Sequence, residues 1–383
     1  MRGLDSFKRI LSIVILATLT LFAAACQRPV APPPETPLDL AWQARVTLNI
    51  SRPAVSGGRL FVIDEQSRLA ALDTTTGRKL WESPLTQVSH ADDPVAVADG
   101  RVFATVQGQS GKVVALDAQS GKKLWENTFG LYRGEGQPVV QGGRVFFEAT
   151  DATGTSASLR AADAATGATL WDAPAGSVIV TQPEIGDGVV YIGAYTYDAA
   201  SNKGRSVSAI DMETGEVRWS YRSDLDLGHR FALDQERLYF GMDGGVVMAR
   251  DAATGDPAWT ARTGGRLSNA PSIAGGVVYA GTSDGALVAL NARDGSTLWT
   301  LDAGSAILTE AVVYDGVVYL GTNSGYLIAV DAERGAALWK VQAPMQKRIG
   351  IPEYIPAMGT TPVIADGLLF YFNTDALNAL RVE

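Results

Sequence analysis

One phrase, Asp-x3-Gly-x3-Trp, returns at near-constant spacing along this chain, and self-similarity at such a period restricts the fold to like units stacked in a row or closed into a ring. It stands at Asp73/Gly77/Trp81, Asp117/Gly121/Trp125, Asp163/Gly167/Trp171, Asp211/Gly215/Trp219, Asp251/Gly255/Trp259 and Asp331/Gly335/Trp339, and with Asn for Asp at Asn291/Gly295/Trp299. An alanine precedes each Asp or Asn by two residues: Ala71, Ala115, Ala161, Ala209, Ala249, Ala289 and Ala329. Consecutive tryptophans of the phrase lie 44, 46, 48, 40, 40 and 40 residues apart.

The unit ending near Trp299 shows what repeats. Pro271–Ile273, Val277–Thr282, Ala286–Leu290 and Ser296–Thr300 read as four short strands, parted by Gly275-Gly276, Ser283-Asp284-Gly285 and the turn Asn291–Gly295. Short strands joined by Gly-bearing turns make an all-β meander, and four strands in roughly 40 residues is the period of a propeller blade. Outside the N-terminal segment nothing keeps a helical apolar period. Seven phrases alone would give seven blades. The eighth tryptophan, Trp42, lies 39 residues before Trp81 with no repeat body ahead of it. At the other end, Pro362–Ile364, Leu369–Tyr371 and Leu377–Leu380 form a body with no turn and no tryptophan. Each end supplies what the other lacks. The expected fold is an all-β, eight-bladed β-propeller over residues 39–383, its last blade closed by the strand around Trp42.

Every motif residue has structural work. Asp or Asn bonds backbone N–H groups two or three residues on and fixes a turn. Gly supplies the positive φ that closes it. Trp42, Trp81, Trp125, Trp171, Trp219, Trp259, Trp299 and Trp339 are expected to dock blade on blade, with the alanines leaving room for the indoles.

The N-terminus reads as a targeting segment. Arg2, Lys8 and Arg9 precede an apolar run from Ile10 to Ala25, which is short for a membrane span and suited to a signal peptide. It ends Ala23-Ala24-Ala25-Cys26, which resembles a bacterial lipobox, with Ala23 where Leu is commonest. Residues 1–25 are therefore expected to be a lipoprotein signal peptide, and Cys26, the chain's single cysteine, the lipidated residue. Residues 26–38, rich in proline, read as an extended tether. An exported, lipid-anchored protein on the periplasmic face of a cell-envelope membrane follows. The formal charge of −9 and the absence of a basic run beyond residue 9 argue against a nucleic-acid partner. With one cysteine and two histidines, His90 and His229, no disulfide or His-rich metal site is expected.

Ala-x-Asp-x-x-Thr-Gly-x-x-x-Trp, at Ala209–Trp219 and Ala249–Trp259, resembles the pyrroloquinoline-quinone (PQQ) repeat, and Val-Tyr-x-Gly-Thr at Val278–Thr282 and Val318–Thr322 belongs to the same pattern. The resemblance covers residues 40–383. It implies a propeller in which the motif docks blades and does not itself bind the quinone. One branch, the quinoprotein dehydrogenases, is longer and carries a Ca²⁺ site, a catalytic Asp and in many members a vicinal disulfide, which one cysteine cannot form. The other branch is the BamB family, the propeller lipoproteins of the outer-membrane β-barrel assembly machinery. This chain is similar to it in plan: signal, lipobox, short tether, eight PQQ-like blades. Leu131-Tyr132-Arg133-Gly134-Glu135-Gly136-Gln137-Pro138 resembles that family's Leu-Arg-Gly-Glu-x-x-Pro partner-contact loop, one blade early and with Tyr132 where Leu is favoured. The resemblance implies a non-enzymatic, monomeric protein–protein scaffold with envelope or outer-membrane assembly partners and no cofactor. A PQQ-dependent oxidoreductase and a small-ligand or polysaccharide binder are the alternatives.

Blade alignment places Arg52, Pro94, Gln137, Gln182, Arg230, Ala270, Glu310 and Thr361 just before the innermost strands, around one mouth of the channel. Both signs and neutral amides occur there, and no converging carboxylates are expected. Three connections exceed the norm: Leu85–Pro94 with His90, residues 221–231 with Asp224, Asp226 and His229, and Val341–Thr361. Apolar side chains in a long loop are partner-binding anchors. The candidate contact residues are thus Leu131, Tyr132, Arg133, Glu135, Arg348, Ile351 and Tyr354, with no catalytic residue and no metal ligand. Cys26→Ala should move the protein from the membrane to the soluble fraction on cell fractionation. Retention at the wild-type level would reject the lipid anchor.

Overall fold

The computed structural model of this chain describes residues 39–45, 52–64, 66–85, 95–106, 110–130, 137–197, 203–342, 360–373 and 376–382. The leader, Cys26, the tether and His90 lie outside the described residues. So do Leu131, Tyr132, Arg133, Glu135, Arg348, Ile351 and Tyr354, as well as the side chain of His229.

Eight separate antiparallel sheets follow one another along the chain, and together they form the expected eight-bladed propeller. From the inner to the outer strand, blade 1 is Ala54–Ser56, Arg59–Ile63, Arg68–Asp73 and Lys79–Pro84. Blade 2 is Ala96–Ala98, Arg101–Val106, Lys112–Asp117 and Lys123–Thr128. Blade 3 is Val139–Gln141, Arg144–Thr150, Ala157–Asp163 and Thr169–Gly176. Blade 4 has a split inner edge, Val178–Ile179 and Glu184–Gly186, then Val189–Tyr197, Lys203–Asp211 and Val217–Ser223. Blade 5 is Leu227–Leu233, Arg237–Met242, Val246–Asp251 and Pro257–Arg262. Blade 6 is Ser272–Ala274, Val277–Gly281, Ala286–Asn291 and Thr297–Asp302, within a residue or two of the strands read from the sequence. Blade 7 is Val312–Tyr314, Val317–Gly321, Tyr326–Asp331 and Ala337–Gln342.

Blade 8 joins the two ends of the chain. Val363–Ala365, Leu368–Asn373 and Ala376–Arg381 come from the C-terminus, and Leu40–Arg45 from the N-terminus forms the outer strand. Trp42 lies opposite Ala379, as each phrase tryptophan lies opposite its alanine: Trp81 opposite Ala71, Trp259 opposite Ala249. Gln43 Nε2 donates to Asn378 Oδ1 at 2.8 Å, and Arg381 pairs with Asp39 at 2.7 Å, so polar bonds flank the join.

The turns follow local chemistry. The first hairpin of blades 1 and 6 is Gly-Gly, and that of blades 4 and 7 is Asp-Gly, with positive φ at both residues in each case. Two positive φ values define the tight turn whose twist matches paired strands. In the phrase turn of blade 1, Asp73 Oδ1 accepts the backbone N–H groups of Thr75 and Thr76 at 3.1 and 2.8 Å. Hydrogen bonds from the Thr75 and Thr76 side chains and backbone hold the Asp73 carboxyl down to about 2.

The core lies in the seams between blades. Across one face of each sheet runs a row of four residues: an inner-strand residue, an aromatic, the alanine and the tryptophan. In blade 1 the row is Ala54, Phe61, Ala71 and Trp81, each opposite the next. The small alanine lets the rings on either side meet above it, with centroids 5.9 Å apart for Phe61 and Trp81 and 5.8 Å for Tyr239 and Trp259. Each such ring pair is worth about 0.5–1.5 kcal/mol beyond its buried area. The indole then reaches the next blade. Trp81 Nε1 donates to Ala118 O at 3.0 Å, Trp259 to Ala292 O at 2.9 Å, and Trp42 to Thr74 O at 2.8 Å, which carries the pattern across the closure. In these bonds and in those of Trp125, Trp171, Trp219 and Trp299, the acceptor is the residue following the motif Asp or Asn.

The motif glycine has a second role that its φ alone does not reveal. A Cβ on Gly295 would sit 2.6 Å from the Trp259 ring of the preceding blade, and one on Gly121 would sit 2.5 Å from Trp81. Positive φ and ring contact therefore both demand glycine. Trp339 packs among Leu369, Tyr371 and Leu380 of blade 8.

Candidate functional site

Described residues at the start of the inner strands of blades 1, 4, 5 and 7 gather at one mouth of the channel. Four of the eight aligned rim residues tie alternate blades together across the axis. Arg52, entering blade 1, pairs through Nη1 with Glu310 Oε2 at 3.0 Å. Arg230, on the inner strand of blade 5, reaches the other carboxylate oxygen, Oε1, at 3.3 Å. Arg230 Nη2 also donates to Gln137 Oε1, entering blade 3, at 2.8 Å. Glu310, entering blade 7, donates its backbone N–H to Thr361 Oγ1, entering blade 8, at 3.2 Å. Ala270 is buried, and Pro94 lies outside the described residues. Two cavities of about 270 and 260 Å³ flank the cluster, and Arg52, Gln182 and Arg230 line both.

The sequence reading of this rim needs one correction: a second carboxyl does converge on it. Glu184 is the inner residue of the row in blade 4, opposite Tyr191, and it lines the second cavity with Arg52, Arg230 and Glu310. At the same place the other blades carry Ala54, Ala96, Val139, Ala232, Ser272, Val312 and Val363. A charged residue among seven small or apolar ones was the available signal, two positions beyond the residues that were aligned. Burial pushes the Glu184 carboxyl up to about 7; Arg230 and Arg52 pull it down less strongly, and Glu310 pushes it further up.

A second buried acid, Glu148, lies in the seam between blades 3 and 4. Its Oε1 accepts Ile179 N–H at 3.0 Å, where the inner edge of blade 4 is interrupted, and burial raises it to about 7. The segment 221–231 is not the long loop expected, because the inner strand of blade 5 runs for seven residues, Leu227–Leu233, and leaves only 224–226 between strands. Asp226 there accepts from Lys203 at 2.7 Å and Arg205 at 2.5 Å, and those bonds lower its carboxyl. It braces the long hairpin of blade 4.

Among the described residues no group of three or more His, Cys, Asp or Glu is placed to hold a metal. The mouth carboxylates are interleaved with guanidinium groups, and both oxygens of Glu310 already serve them, so this set does not fit a Ca²⁺-bound quinone.

The family model described as outer membrane protein assembly factor BamB matches residues 39–147, 86–193, 109–226 and 203–379. The chain belongs to the BamB family. No curated protein sequence matches it significantly. The crystal structure of BamB from Moraxella catarrhalis is 17% identical, covers 91% of this chain and 98% of its own, and superimposes with a TM-score of 0.67. The computationally designed Ika8 protein is also 17% identical, covering 90% and 100%, with a TM-score of 0.71. Quinohemoprotein alcohol dehydrogenase from Comamonas testosteroni is 15% identical, covering 90% and 76%, with a TM-score of 0.69. At such identities the structural likeness establishes the fold and nothing finer.

Glu184 gives a test of the mouth's electrostatics. Its ordinary value is 4.5 and its folded value about 7, so the native state holds a proton that the unfolded chain releases, and stability falls as pH rises through that window. Glu184→Gln should flatten part of the fall in urea midpoint between pH 5 and pH 8. An unchanged slope would mean the carboxyl is not buried.

Proposed function

We propose that this chain is a non-enzymatic, lipid-anchored envelope protein whose propeller docks partner proteins during outer-membrane protein assembly. The observation that carries this reading is family membership along residues 39–379, under a description that names an outer-membrane assembly factor. The leader ending at Cys26 supports an exported, tethered location. The fold adds a physical reason: the repeated residues are consumed in holding blade to blade, and the mouth is cross-tied into a stiff platform. A stiff platform binds with little ordering cost, so affinity rests on what its connecting loops present. Leu131, Tyr132, Arg133 and Glu135 in one connection, and Arg348, Ile351 and Tyr354 in another, are the proposed contacts. An aromatic and an arginine in each set are the residue types that anchor interfaces.

A photo-crosslinking residue at Tyr132 or Tyr354, activated in intact envelopes, should give covalent adducts with outer-membrane assembly proteins, while one at exposed Tyr314 in an inner-strand turn should not. Adducts absent at both loop positions, or equal at all three, would reject the scaffold reading.

A further inference from the structure

We propose that a basic sector on blades 1 and 2, at the end of the propeller opposite the mouth, is a docking surface for anionic phospholipid headgroups. The proposal rests on the lipid-anchor part of the reading above and says which face meets the membrane. In an antiparallel meander, alternate connections fall at alternate ends of the blade. The inner hairpin turn and the phrase turn therefore share the end away from the mouth. Thr74 N–H donates to Gly58 O at 3.1 Å and Ala118 N–H to Gly100 O at 2.8 Å, so the two turns touch in blades 1 and 2.

Charge on this turn face is sorted by blade, although the chain as a whole carries −9. Residues 56–59, 73–80, 98–101 and 117–124 make up the turns of blades 1 and 2. They hold six cations, Arg59, Arg78, Lys79, Arg101, Lys122 and Lys123, against three acids. The matching turns of blades 4 and 5, on the far side of the ring, hold eight acids against Arg218 and Arg237. Two of the three acids in the basic sector are turned inward: Asp73 and Asp117 each accept two backbone N–H groups of their own turn. Lys79 and Lys123 pair with Glu82 and Glu126 on their own strands, at 2.5 and 2.9 Å. Arg78 and Lys122 are exposed beside them and have no ion pair among the described residues. Exposed Leu124 follows Lys122-Lys123, and an apolar tip among cations suits a layer of anionic headgroups over acyl chains.

The N-terminal strand enters the propeller on the same face. Asp39 O accepts Arg381 N–H at 3.0 Å, next to Val382, whose N–H donates to Gly367 O in the inner turn of blade 8 at 3.1 Å. The phrase turn of blade 1 rests on that entering strand: a Cβ on Gly77 would lie 2.5 Å from the Trp42 ring. The basic turns are thus the next two around the ring from the point of entry. Cys26 lies thirteen residues before Asp39, about 45 Å of fully extended chain at most. A lipid on Cys26 would keep this face, and not the mouth, towards the membrane, where each cation adds about fivefold to the attraction.

The test uses the lipidated full-length protein, reconstituted in vesicles of phosphatidylcholine alone or mixed with phosphatidylglycerol. With Cys26 modified, Gln119→Cys offers one thiol for a dye on the basic sector, and Ala253→Cys one at the matching exposed position of blade 5. Energy transfer to headgroup-labelled lipid should rise at residue 119 when phosphatidylglycerol is present, and should not rise at residue 253. The rise should vanish in about 1 M salt, where charges are screened within about 3 Å. Arg78→Glu with Lys122→Glu should lower the docked-to-undocked ratio about 25-fold or more, and Arg78→Gln with Lys122→Gln by less. Thermal melts establish that each variant is folded, and the glutamine pair carries the test if the glutamate pair is not. Equal transfer at residue 119 on the two kinds of vesicle, or an undiminished rise in a folded variant, would overturn the docking surface and leave the anchor in place. Protein that floats with neither kind of vesicle, with Cys26 open to the dye, would instead overturn the anchor and this assignment with it.

Discussion

The structure depends on one contact made again and again: an indole from one blade lying on the motif glycine of the next and donating its N–H to a backbone carbonyl one turn away. A four-stranded blade cannot bury both of its faces alone. The tryptophan solves this by covering a broad apolar area while satisfying its own donor, so a large aromatic enters the seam without a stranded polar atom. The glycine beneath it is required twice, by its backbone and by the ring above. The alanine opposite the tryptophan keeps the sheet thin enough for the aromatic of the second strand to reach the same indole. Asp completes the unit by locking the turn that presents both the glycine and the carbonyl.

Because each blade is held chiefly by its neighbours, the open ends of the chain are the weak point of such a ring. Joining N- and C-terminal strands in blade 8 removes it, and the Trp42 bond to Thr74 gives the closing seam the same indole-to-carbonyl bond that links blades 1 to 7 in succession. The mouth adds a different kind of tie. Arg52, Gln137, Arg230 and Glu310 come from blades 1, 3, 5 and 7, so the charge network spans the ring rather than a single seam. A partly buried network of this kind adds less to stability than to fixing one arrangement.

Much of the fold could be read before any coordinates, because tryptophan is rare and its spacing is the blade period. Trp42 without a body and a C-terminal body without a tryptophan were enough to give eight blades and their closure. The second function of the glycines was not legible, since it lies in a contact between repeats roughly 40 residues apart, and a glycine in a turn is already explained by its φ. Phe61, Tyr239 and their counterparts read as ordinary strand residues, and only the cross-strand register shows them beside the indoles. At the mouth, the rim positions were found by alignment, but their pairing was not: Arg52 and Glu310 are 258 residues apart. Glu184 is not legible among the residues that precede the inner strands, because it lies two positions further on, within the strand itself. The span 221–231 reads as a loop in sequence because its charged residues hide a seven-residue inner strand.

The central claim is that tryptophan and glycine of successive blades act as one unit, and a double-mutant cycle on Trp259 and Gly295 tests it most directly. Gly295→Ala alone should be strongly destabilising, because its φ is +74° and its Cβ would meet the Trp259 ring at 2.6 Å. Trp259→Ala alone should cost about 3–5 kcal/mol. Together they should cost less than the sum by about 1 kcal/mol or more, since removing the ring relieves the clash and leaves only the backbone strain. Urea unfolding at constant m-value would measure it. Strict additivity of the two substitutions would contradict the account.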